Sequence, residues 1–463
     1  MTKVSFIQKT ILILLLLFQC TVHAQCWKSV SPGADFCIAI KEDGTLWSWG
    51  NNNSGQLGLG HFDNKTIPTR VGSETDWETV SSGYGFVLAL KTNGTIWVWG
   101  RNDFGLGGNP GSPTNAPSQV GSDSDWKSIH AGGAHSFAIK NNGTLWGWGR
   151  NDFGQLGIGT FGHTNIPTQV GTQTDWETVA AGTFHTLAVK TDQTLWSWGY
   201  NFSGQLGQGT AGFGTELNVP TLIAALPANA WRCIAAGGRH SMAITETGSL
   251  WIWGNNNNFA LGLNDGSFYK SVPTRLGNTN NWKFAAGGID HTLAIKEDQT
   301  LWGWGENTDG QLGDHSTIDR PAPVQVGGIG NWTLADGGLQ HSLFVKDGEI
   351  FTSGGNAYGE LGIGSLVGHN NPQPVDCPQT LGTNSYTQSY FTVYPNPVRE
   401  ILTLHALEDF KIDQIQIIDV AGKVILEPIV TEKSIDVQPL QSGFYWLMVF
   451  AEGKKIPVKF IKI

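Results

Sequence analysis

Histidine is the residue type in this chain best suited to chemistry, and it recurs at a fixed spacing. Five histidines each lie nine residues after a tryptophan: His135, His185, His240, His291 and His341. Imidazole can bind zinc or carry a proton near neutral pH. The five occupy the same position in successive repeats, however, so they should be roughly 10 Å apart, the spacing of packed sheets, whereas zinc holds its ligands at about 2 Å. We therefore expect a structural histidine that is hydrogen-bonded within its own repeat, with no metal site and no catalytic set.

Tryptophan pairs and glycine-rich segments could also carry chemistry. Pairs such as Trp146 and Trp148 could form an aromatic platform, but 19 of the 20 tryptophans lie at repeat positions, which predicts packing between repeats. Gly157–Gly162 and Gly207–Gly212 match G-x-G-x-x-G, yet proline-containing β segments follow where a nucleotide site needs a helix. The chain has no H-E-x-x-H, G-x-S-x-G, P-loop or C-x-x-C motif. We expect neither an enzyme nor a cofactor.

A repeat of about 50 residues positions all of these side chains. Each copy has a tryptophan, then histidine or phenylalanine nine residues later, an alternating apolar run, a Gly or Asn turn, and Leu-Trp-x-Trp-Gly. The glycine that closes the W-x-W-G motif stands at 50, 100, 149, 199, 254, 305 and 354. Apolar alternation between turn residues predicts β-strands, four per copy. A period of this length predicts an all-β fold, a seven-bladed β-propeller over residues 25–377.

Two motifs in fixed phase closely resemble the regulator of chromosome condensation repeat family. They are G-x-x-H-[ST] followed by an apolar run, and L-W-x-W-G-x-N-x-x-G-Q-L-G, as in Leu46–Gly58. The resemblance covers about three quarters of the chain and implies a seven-bladed β-propeller. Blades one and two depart from it with Phe36 and Phe86 in place of histidine. Blade seven departs further, with Phe351 and Ser353 in place of the two tryptophans.

The first residues and the overall charge indicate an exported protein. Lys3 and Lys9 precede an apolar run, Ile11–Phe18, and the small residue Ala24, which is the pattern of a signal peptide over residues 1–24. The run is too short to span a bilayer, and we expect no transmembrane segment. The chain has 38 acidic against 28 basic residues, a net charge of −10. An acidic surface excludes nucleic acid as a partner because phosphate binding needs a basic face.

The sequence changes character after Cys377. Residues 378–389 are polar and predict a linker, and the short alternating segments of residues 390–463 predict a small β-sandwich. The order Tyr394-Pro395-Asn396-Pro397, Asp419-x-x-Gly-Lys and Leu440-x-x-Gly-x-Tyr resembles the type A C-terminal sorting domain of the type IX (Por) secretion system. The resemblance implies that residues 390–463 engage the type IX machinery of a Gram-negative bacterium. The protein would pass through the periplasm and become secreted or displayed on the outer cell surface. An ordinary accessory sandwich is the alternative.

Two cysteines flank the one junction of the ring that has no peptide connection. The chain enters blade one at Trp27 and leaves blade seven at Val375, with Cys26 just before and Cys377 just after. A Cys26–Cys377 disulfide would close this seam in an oxidising compartment. We expect Cys37 and Cys233 to be buried free thiols.

Two residues in every blade are not fixed by the repeat. They lie between a glycine and the His or Phe, and all seven pairs should surround one mouth of the central shaft. The candidate partner-binding residues among them are Asp35, Tyr84, Phe184, Arg239, Asp290 and Gln340. Their mixture of aromatic, basic and acidic groups is typical of protein-recognition surfaces. The longer loops that contain His61–Lys65 and Gly266–Lys270 are a second candidate surface, and solvated turns without a ligand are the alternative.

These observations favour a secreted or surface-displayed binding module for an extracellular protein. A glycan-binding adhesin is the main alternative and would need exposed aromatic side chains. Members of the resembled family use the same ring for GTPase nucleotide exchange, for β-lactamase inhibition and for light sensing. Nucleotide exchange on a nuclear GTPase does not suit an exported chain, and a secreted hydrolase lacks its motif.

Overall fold

The computed structural model describes residues 26–106, 114–224, 231–328, 330–378, 391–406, 412–419, 423–428, 434–451 and 454–463. The expected signal peptide and linker residues 379–389 lie outside these ranges, as does Gly422 of the predicted sorting motif. The chain divides into two compact units, Met1–Cys377 and Pro378–Ile463. Within the described ranges, no helix has the length and apolar character needed to cross a membrane.

The first unit is the seven-bladed propeller that the repeat predicts. Each blade is an antiparallel sheet of four strands in chain order. The first four blades contain β1 (Trp27–Pro32), β2 (Phe36–Lys41), β3 (Leu46–Gly50), β4 (Lys65–Val71); β5 (Trp77–Ser82), β6 (Phe86–Lys91), β7 (Ile96–Gly100), β8 (Thr114–Gln119); β9 (Trp126–Ala131), β10 (His135–Lys140), β11 (Leu145–Gly149), β12 (Thr164–Gln169); and β13 (Trp176–Ala181), β14 (His185–Lys190), β15 (Leu195–Gly199), β16 (Leu217–Leu222).

The remaining three blades have the same order. They contain β17 (Trp231–Ala236), β18 (His240–Thr245), β19 (Leu250–Asn255), β20 (Tyr269–Arg275); β21 (Trp282–Gly287), β22 (His291–Lys296), β23 (Leu301–Gly305), β24 (Arg320–Val326); and β25 (Trp332–Gly337), β26 (His341–Lys346), β27 (Glu349–Gly354), β28 (His369–Pro374). Short 3₁₀ helices, Asp103–Gly105 and Asn257–Phe259, replace a loop turn in blades two and five. The first strand of each blade packs against the first strands of both neighbours, and β25 packs against β1, so these strands surround the axis.

The second tryptophan of each pair holds two blades together. Trp99 Nε1 donates a hydrogen bond of 2.9 Å to the carbonyl of Gln56 in the preceding blade, and Trp198 does the same to Gln155 at 2.9 Å. Both indoles are buried, as packing between repeats predicts. In blade seven Ser353 replaces this tryptophan, and its hydroxyl donates to the Gln311 carbonyl at 3.2 Å. The degenerate copy therefore keeps the donor although it loses the ring.

The five repeat histidines are structural, as expected, but the prediction of hydrogen bonds within each blade is wrong, because their Nε2 atoms link neighbouring blades. Each Nε2 contacts a hydroxyl or thiol at the same position of the following blade. The pairs are His135–Thr186 (3.3 Å), His185–Ser241 (2.9 Å), His240–Thr292 (2.9 Å), His291–Ser342 (2.9 Å) and His341–Cys37 (3.4 Å). The Ser241 hydroxyl itself donates to the Gln205 carbonyl at 2.8 Å, so His185 must be the donor from Nε2.

In blades one and two phenylalanine replaces the histidine. The residue at the partner position of the next blade is apolar at one of these two junctions and polar at the other. Phe36 belongs to blade one, and Val87 occupies the partner position in blade two, so both members of this pair are apolar. Phe86 precedes blade three, which has Ser136 there. The buried Ser136 hydroxyl has no hydrogen-bond partner among the described residues. A buried polar group without a partner lowers stability.

Replacing Ser136 by valine should therefore stabilise the propeller. We expect the free energy of unfolding to rise by about 1 kcal/mol, because the change removes the unpaired hydroxyl and copies Val87. Ser241→Val is the matched control and should lower it by about 2 kcal/mol, since it deprives His185 and the Gln205 carbonyl of their shared partner. Urea unfolding followed by tryptophan fluorescence measures both. Destabilisation by Ser136→Val would contradict the interpretation.

The blade-seven to blade-one seam is closed by the predicted disulfide. Cys26 and Cys377 are bonded, 351 residues apart in sequence. Leu339 N donates to the Ala34 carbonyl at 2.9 Å across the same seam, and Trp49 Nε1 donates to the Glu360 carbonyl at 3.0 Å. Cys37 and Cys233 are free; Cys37 is buried as expected, whereas Cys233 is only partly buried.

The second unit is a two-sheet sandwich, as predicted. One sheet contains β29 (Phe391–Tyr394), β30 (Ile401–Ala406) and β33 (Ser434–Asp436); the other contains β31 (Ile412–Ile418), β32 (Val424–Leu426), β34 (Gly443–Ala451) and β35 (Lys454–Lys462). Leu402 and Leu404 pack against Ile415 and Ile417 in its core. Asn396 of the Tyr-Pro-Asn-Pro motif accepts from Ile461 N at 2.9 Å and donates to the Lys459 carbonyl at 3.2 Å. The motif therefore holds the last strand.

Candidate partner-binding face

One end of the propeller, here called the loop face, is formed by the seven variable pairs and the loops that follow each W-x-W-G. The second residue of every pair accepts a hydrogen bond from the residue after that glycine. Asn51 N donates to the Asp35 carbonyl at 2.8 Å, and Glu306 N donates to Asp290 at 2.9 Å. The glycine is needed for this approach: Gly50 has φ +102°, and a Cβ there would be 2.6 Å from the Asp35 oxygen. The repeat thus fixes the backbone of two rings of residues around the shaft. One ring consists of the first residues of the seven pairs and the other of the second residues.

The first residues of the pairs narrow the shaft. Their backbones connect successive blades by hydrogen bonds, for example Gly133 N to the Gly182 carbonyl at 3.1 Å and Thr183 N to the Gly238 carbonyl at 3.2 Å. Tyr84 belongs to this ring. Its phenol is hydrogen-bonded to the Thr183 hydroxyl of blade four, 99 residues away in sequence, and lines an axial cavity of about 150 Å³. Burial raises the pKa of Tyr84 to about 12. This side chain therefore lies across the shaft, and little of it is available to a partner.

Phe184 lies on the loop face within an aromatic cluster. The cluster consists of Phe153, Phe184, Tyr200, Phe202 and Phe213. The Phe153 ring centroid lies 5.4 Å from Phe184 and 4.6 Å from Tyr200, and the Phe202 and Phe213 centroids are 4.7 Å apart. Phe202 is 42% exposed and Phe213 is 84% exposed. Contiguous exposed aromatic surface of this kind marks interaction sites.

A cation covers one side of the aromatic cluster. The Arg150 guanidinium lies 4.9 Å from the Phe184 ring centroid and 5.0 Å from that of Phe104. It is also paired with Asp152. A guanidinium held over aromatic faces contributes cation–π attraction and fixes the rings. The aromatic cluster is therefore preorganised on its blade-three side, which lowers the entropy lost on binding.

Arg239 and Asp290 line a groove between blades five and six. This groove has a volume of about 480 Å³ and includes Phe268 on its wall. Phe268 is 78% exposed, so the loop that contains Gly266–Lys270, the second candidate surface, contributes to the same face. Burial raises the pKa of Asp290, and the nearby Arg239 charge opposes that shift. The groove therefore presents an aromatic side chain, a positive charge and a negative charge to a partner.

Asp35 and Gln340 line a second groove, between blades six, seven and one. Its volume is about 550 Å³, and Asp309 and Glu360 also lie on its wall. We call it the acidic groove. Burial raises the pKa values of the Asp35 and Glu360 carboxyls, and the Asp35 charge raises that of Glu360 further. The structure thus distributes the six candidate residues over the shaft, the aromatic cluster and two grooves.

The sequence interpretation missed the larger part of the aromatic cluster and Glu360. Tyr200 and Phe202 stand where blade one has Asn51 and Asn53, in loops assigned to the scaffold. Glu360 stands in the Gln position of the G-Q-L-G motif. The signal that could have found them is departure from the repeat in the loops that follow the W-x-W-G motif.

Comparison with known families agrees with this architecture. The profile of the RCC1-like domain matches residues 18–293, and profiles of the regulator of chromosome condensation (RCC1) repeat match residues 283–311 and 298–345. The profile of the secretion system C-terminal sorting domain matches residues 392–463. Together these matches cover both compact units.

Similar proteins share only part of their length with this chain. The ultraviolet-B receptor UVR8 of Arabidopsis thaliana is 30% identical over 170 residues, 36% of this chain and 38% of that protein. The probable E3 ubiquitin-protein ligase HERC4 of Rattus norvegicus is 31% identical over 182 residues, 36% of this chain and 17% of that protein. The chain thus spans less than two fifths of the length of these relatives.

Solved structures share the fold. Human WBSCR16 superposes with a TM-score of 0.65 at 22% identity, covering 72% of this chain and 94% of that one. Prp20p of Saccharomyces cerevisiae superposes with a TM-score of 0.64 at 21% identity, covering 80% of this chain and 90% of that one. At such identities the similarity concerns the fold alone.

Proposed function

We propose, since the chain belongs to the RCC1-like domain family and ends in a secretion system sorting domain, that it is an exported module that binds an extracellular protein through its loop face. The sorting domain would bring the protein to the type IX machinery after passage through the periplasm. The propeller would then act outside the cell, free or attached to the surface.

The observation that carries this proposal is the aromatic cluster beside two grooves. Phe213 is 84% exposed at the edge of this cluster, and a contiguous exposed aromatic surface marks an interaction site. Aromatic and arginine side chains dominate binding energy in protein interfaces, and the loop face contains Phe184 in the aromatic cluster and Arg239 in a groove. Prp20p of Saccharomyces cerevisiae binds Gsp1p and histones, which supports protein binding by a propeller of this fold.

Glycan binding is a second candidate because exposed rings also stack on sugars. Phe268, on the wall of the groove between blades five and six, is 78% exposed, and the adjacent Tyr269 is 49% exposed. The paired repeat tryptophans are less suited, since the second member of each of these pairs is buried.

Capture from the growth medium should depend on the aromatic cluster. We expect the mature propeller to retain an extracellular protein, and Phe202→Ser with Phe213→Ser to reduce retention by at least about tenfold, as loss of interface hot spots does. Ile166→Ser is the matched control, because Ile166 is 57% exposed but lies on outer strand β12. Quantitative mass spectrometry of the bound fraction gives the ratio.

Equal retention by the Phe202→Ser/Phe213→Ser variant and the unmodified propeller would contradict binding through the cluster. Retention that survives protease digestion of the medium but disappears after enzymatic deglycosylation would replace the protein partner with a glycan. Circular dichroism on each variant establishes that the ring is still folded.

A further inference from the structure

The acidic groove contains a buried carboxylate, Glu360, at a position where four other blades have glutamine. Glu360 is 4% exposed, and its Oε2 accepts a hydrogen bond of 2.8 Å from Tyr358 N. Its carbonyl accepts from Trp49 Nε1 at 3.0 Å and from Cys37 Sγ at 3.5 Å, which fixes its backbone across the seam. The side chain is therefore held in one place on the wall of the groove.

Other blades show that a neutral side chain is sufficient at this position. Gln56, Gln155, Gln205 and Gln311 stand there, and each amide oxygen accepts from the backbone N two residues earlier, at 2.8, 2.9, 3.0 and 3.0 Å. A carboxylate accepts this hydrogen bond more strongly than an amide does, but burying its charge costs free energy. A buried carboxylate on the wall of a groove, where four other blades have a neutral side chain, is a candidate binding group.

Within the described residues, backbone N–H groups stabilise this carboxylate, but no cationic side chain pairs with it. None of the ion pairs among the described residues includes Asp35, Asp309 or Glu360. Within the same part of the chain, no three His, Cys, Asp or Glu side chains converge as a metal site needs. Asp35 and Glu360 lie near enough to influence one another, on one wall of a 550 Å³ groove that also contains the Gln340 amide. The groove therefore suits an organic cation with several N–H donors.

We propose that the acidic groove binds an arginine or lysine side chain of the partner protein, with Asp35 and Glu360 as the charged acceptors. This inference rests on the proposed function and adds the chemistry of the partner. Guanidinium is favoured because its planar set of five donors can serve two carboxylates at once. The partner would then place a basic residue over blades seven and one and apolar residues over the aromatic cluster of blades three and four.

Titration with single-residue ligands tests the groove directly. The probes are N-acetyl-arginine amide and, as its uncharged analogue, N-acetyl-citrulline amide, followed by saturation-transfer NMR on the mature protein. We expect binding of the arginine compound alone, weakened at least about tenfold by Glu360→Gln and by raising the salt concentration, as for other charge-assisted contacts. Glu360→Gln copies four other blades and should fold normally.

Asp298→Asn is the matched control. Asp298 lies in an exposed turn where it accepts from Thr300, and Asn93 and Asn142 do the same in blades two and three. This variant should bind like the unmodified protein. Equal binding of arginine and citrulline amides, or an unchanged affinity in Glu360→Gln, would overturn the proposal.

Protein capture separates this proposal from the proposed function. A propeller that captures a protein from the medium equally well with Glu360→Gln, and does not bind arginine amide, contradicts the groove and leaves the function standing. A propeller that binds arginine amide but captures no protein contradicts the proposed function instead.

Discussion

Acidification from pH 6.5 to pH 4 is expected to remove most of the stability of the propeller. Five histidines bonded to the next blade are buried, and burial lowers their pKa values: to about 3 for His135, His185 and His291, and to about 4 for His240 and His341. Each Nδ1 is buried with no hydrogen-bond partner among the described residues. A second proton, on Nδ1, would therefore be buried without a hydrogen-bond acceptor, which disfavours the charged imidazolium in the folded state.

The loss of stability on acidification follows from a difference in proton binding between the folded and unfolded states. In the unfolded chain a histidine has a pKa near 6.5. Below that pH the unfolded state therefore binds protons that the folded state does not bind. The stability is fully present above pH 6.5 and is lost as the pH falls toward the folded pKa values. Each histidine contributes a slope of about 1.4 kcal/mol per pH unit, so five give up to roughly 7 kcal/mol per pH unit. Whole domains have only about 5–15 kcal/mol.

Two other shaft residues largely offset one another. Burial lowers the pKa of His130 to about 4, which adds to the loss in acid. Burial raises the pKa of Asp336 to about 7, so the folded state keeps this proton while the unfolded state releases it. The stability contributed by Asp336 is present below pH 3.8 and lost as the pH rises to 7, so acidification restores it.

Urea unfolding at a series of pH values measures this slope. The double variant His135→Phe with Thr186→Val copies the Phe36–Val87 pair of blades one and two and removes one titrating group. Its slope should be smaller by about 1.4 kcal/mol per pH unit. A free energy of unfolding that stays level from pH 7 to pH 5 would show that the histidines are charged in the fold.

Removal of the Cys26–Cys377 disulfide is expected to be the second large effect. Six of the seven junctions between blades are continuous peptide, whereas at the seventh this bond joins the chain. The seam hydrogen bonds and the packing of blade one against Leu343 and Val345 support this junction. Because the bond encloses a loop of 351 residues, chain entropy alone gives it up to about 6 kcal/mol of stabilisation. We expect Cys26→Ser with Cys377→Ser to lose several kcal/mol and to open first between blades seven and one.

Hydrogen exchange resolves the location of that opening. In the double serine variant, amides of β1 and β26 should exchange faster, whereas those of β14, in blade four, should follow global unfolding. Cys233→Ala is the control for loss of a thiol, since Cys233 is free and lies in blade five. Reductant should destabilise the unmodified protein and leave the double serine variant unchanged. Equal stability of the two proteins would contradict the role given to the bond.

The sequence by itself determined the scaffold. Periodicity of the tryptophan and glycine motifs predicted four strands per copy and seven blades, because side-chain alternation and turn chemistry are local properties of the chain. Comparison of copies also assigned the histidines to structure, and the position of Cys26 and Cys377 at the ends of the repeat predicted their bond. These inferences need only knowledge of which positions recur.

Only the tertiary structure decided how the variable positions combine. Tyr84 and Thr183 are 99 residues apart and meet across the shaft, whereas Phe184, adjacent to Thr183, turns outward to Tyr200 and Phe153. Asp35 and Glu360 share one groove although they lie near opposite ends of the ring sequence. Closing a chain into a ring brings its first and last copies together and turns neighbouring side chains to opposite sides. The repeat predicts where each blade lies, and the closed ring decides which side chains meet.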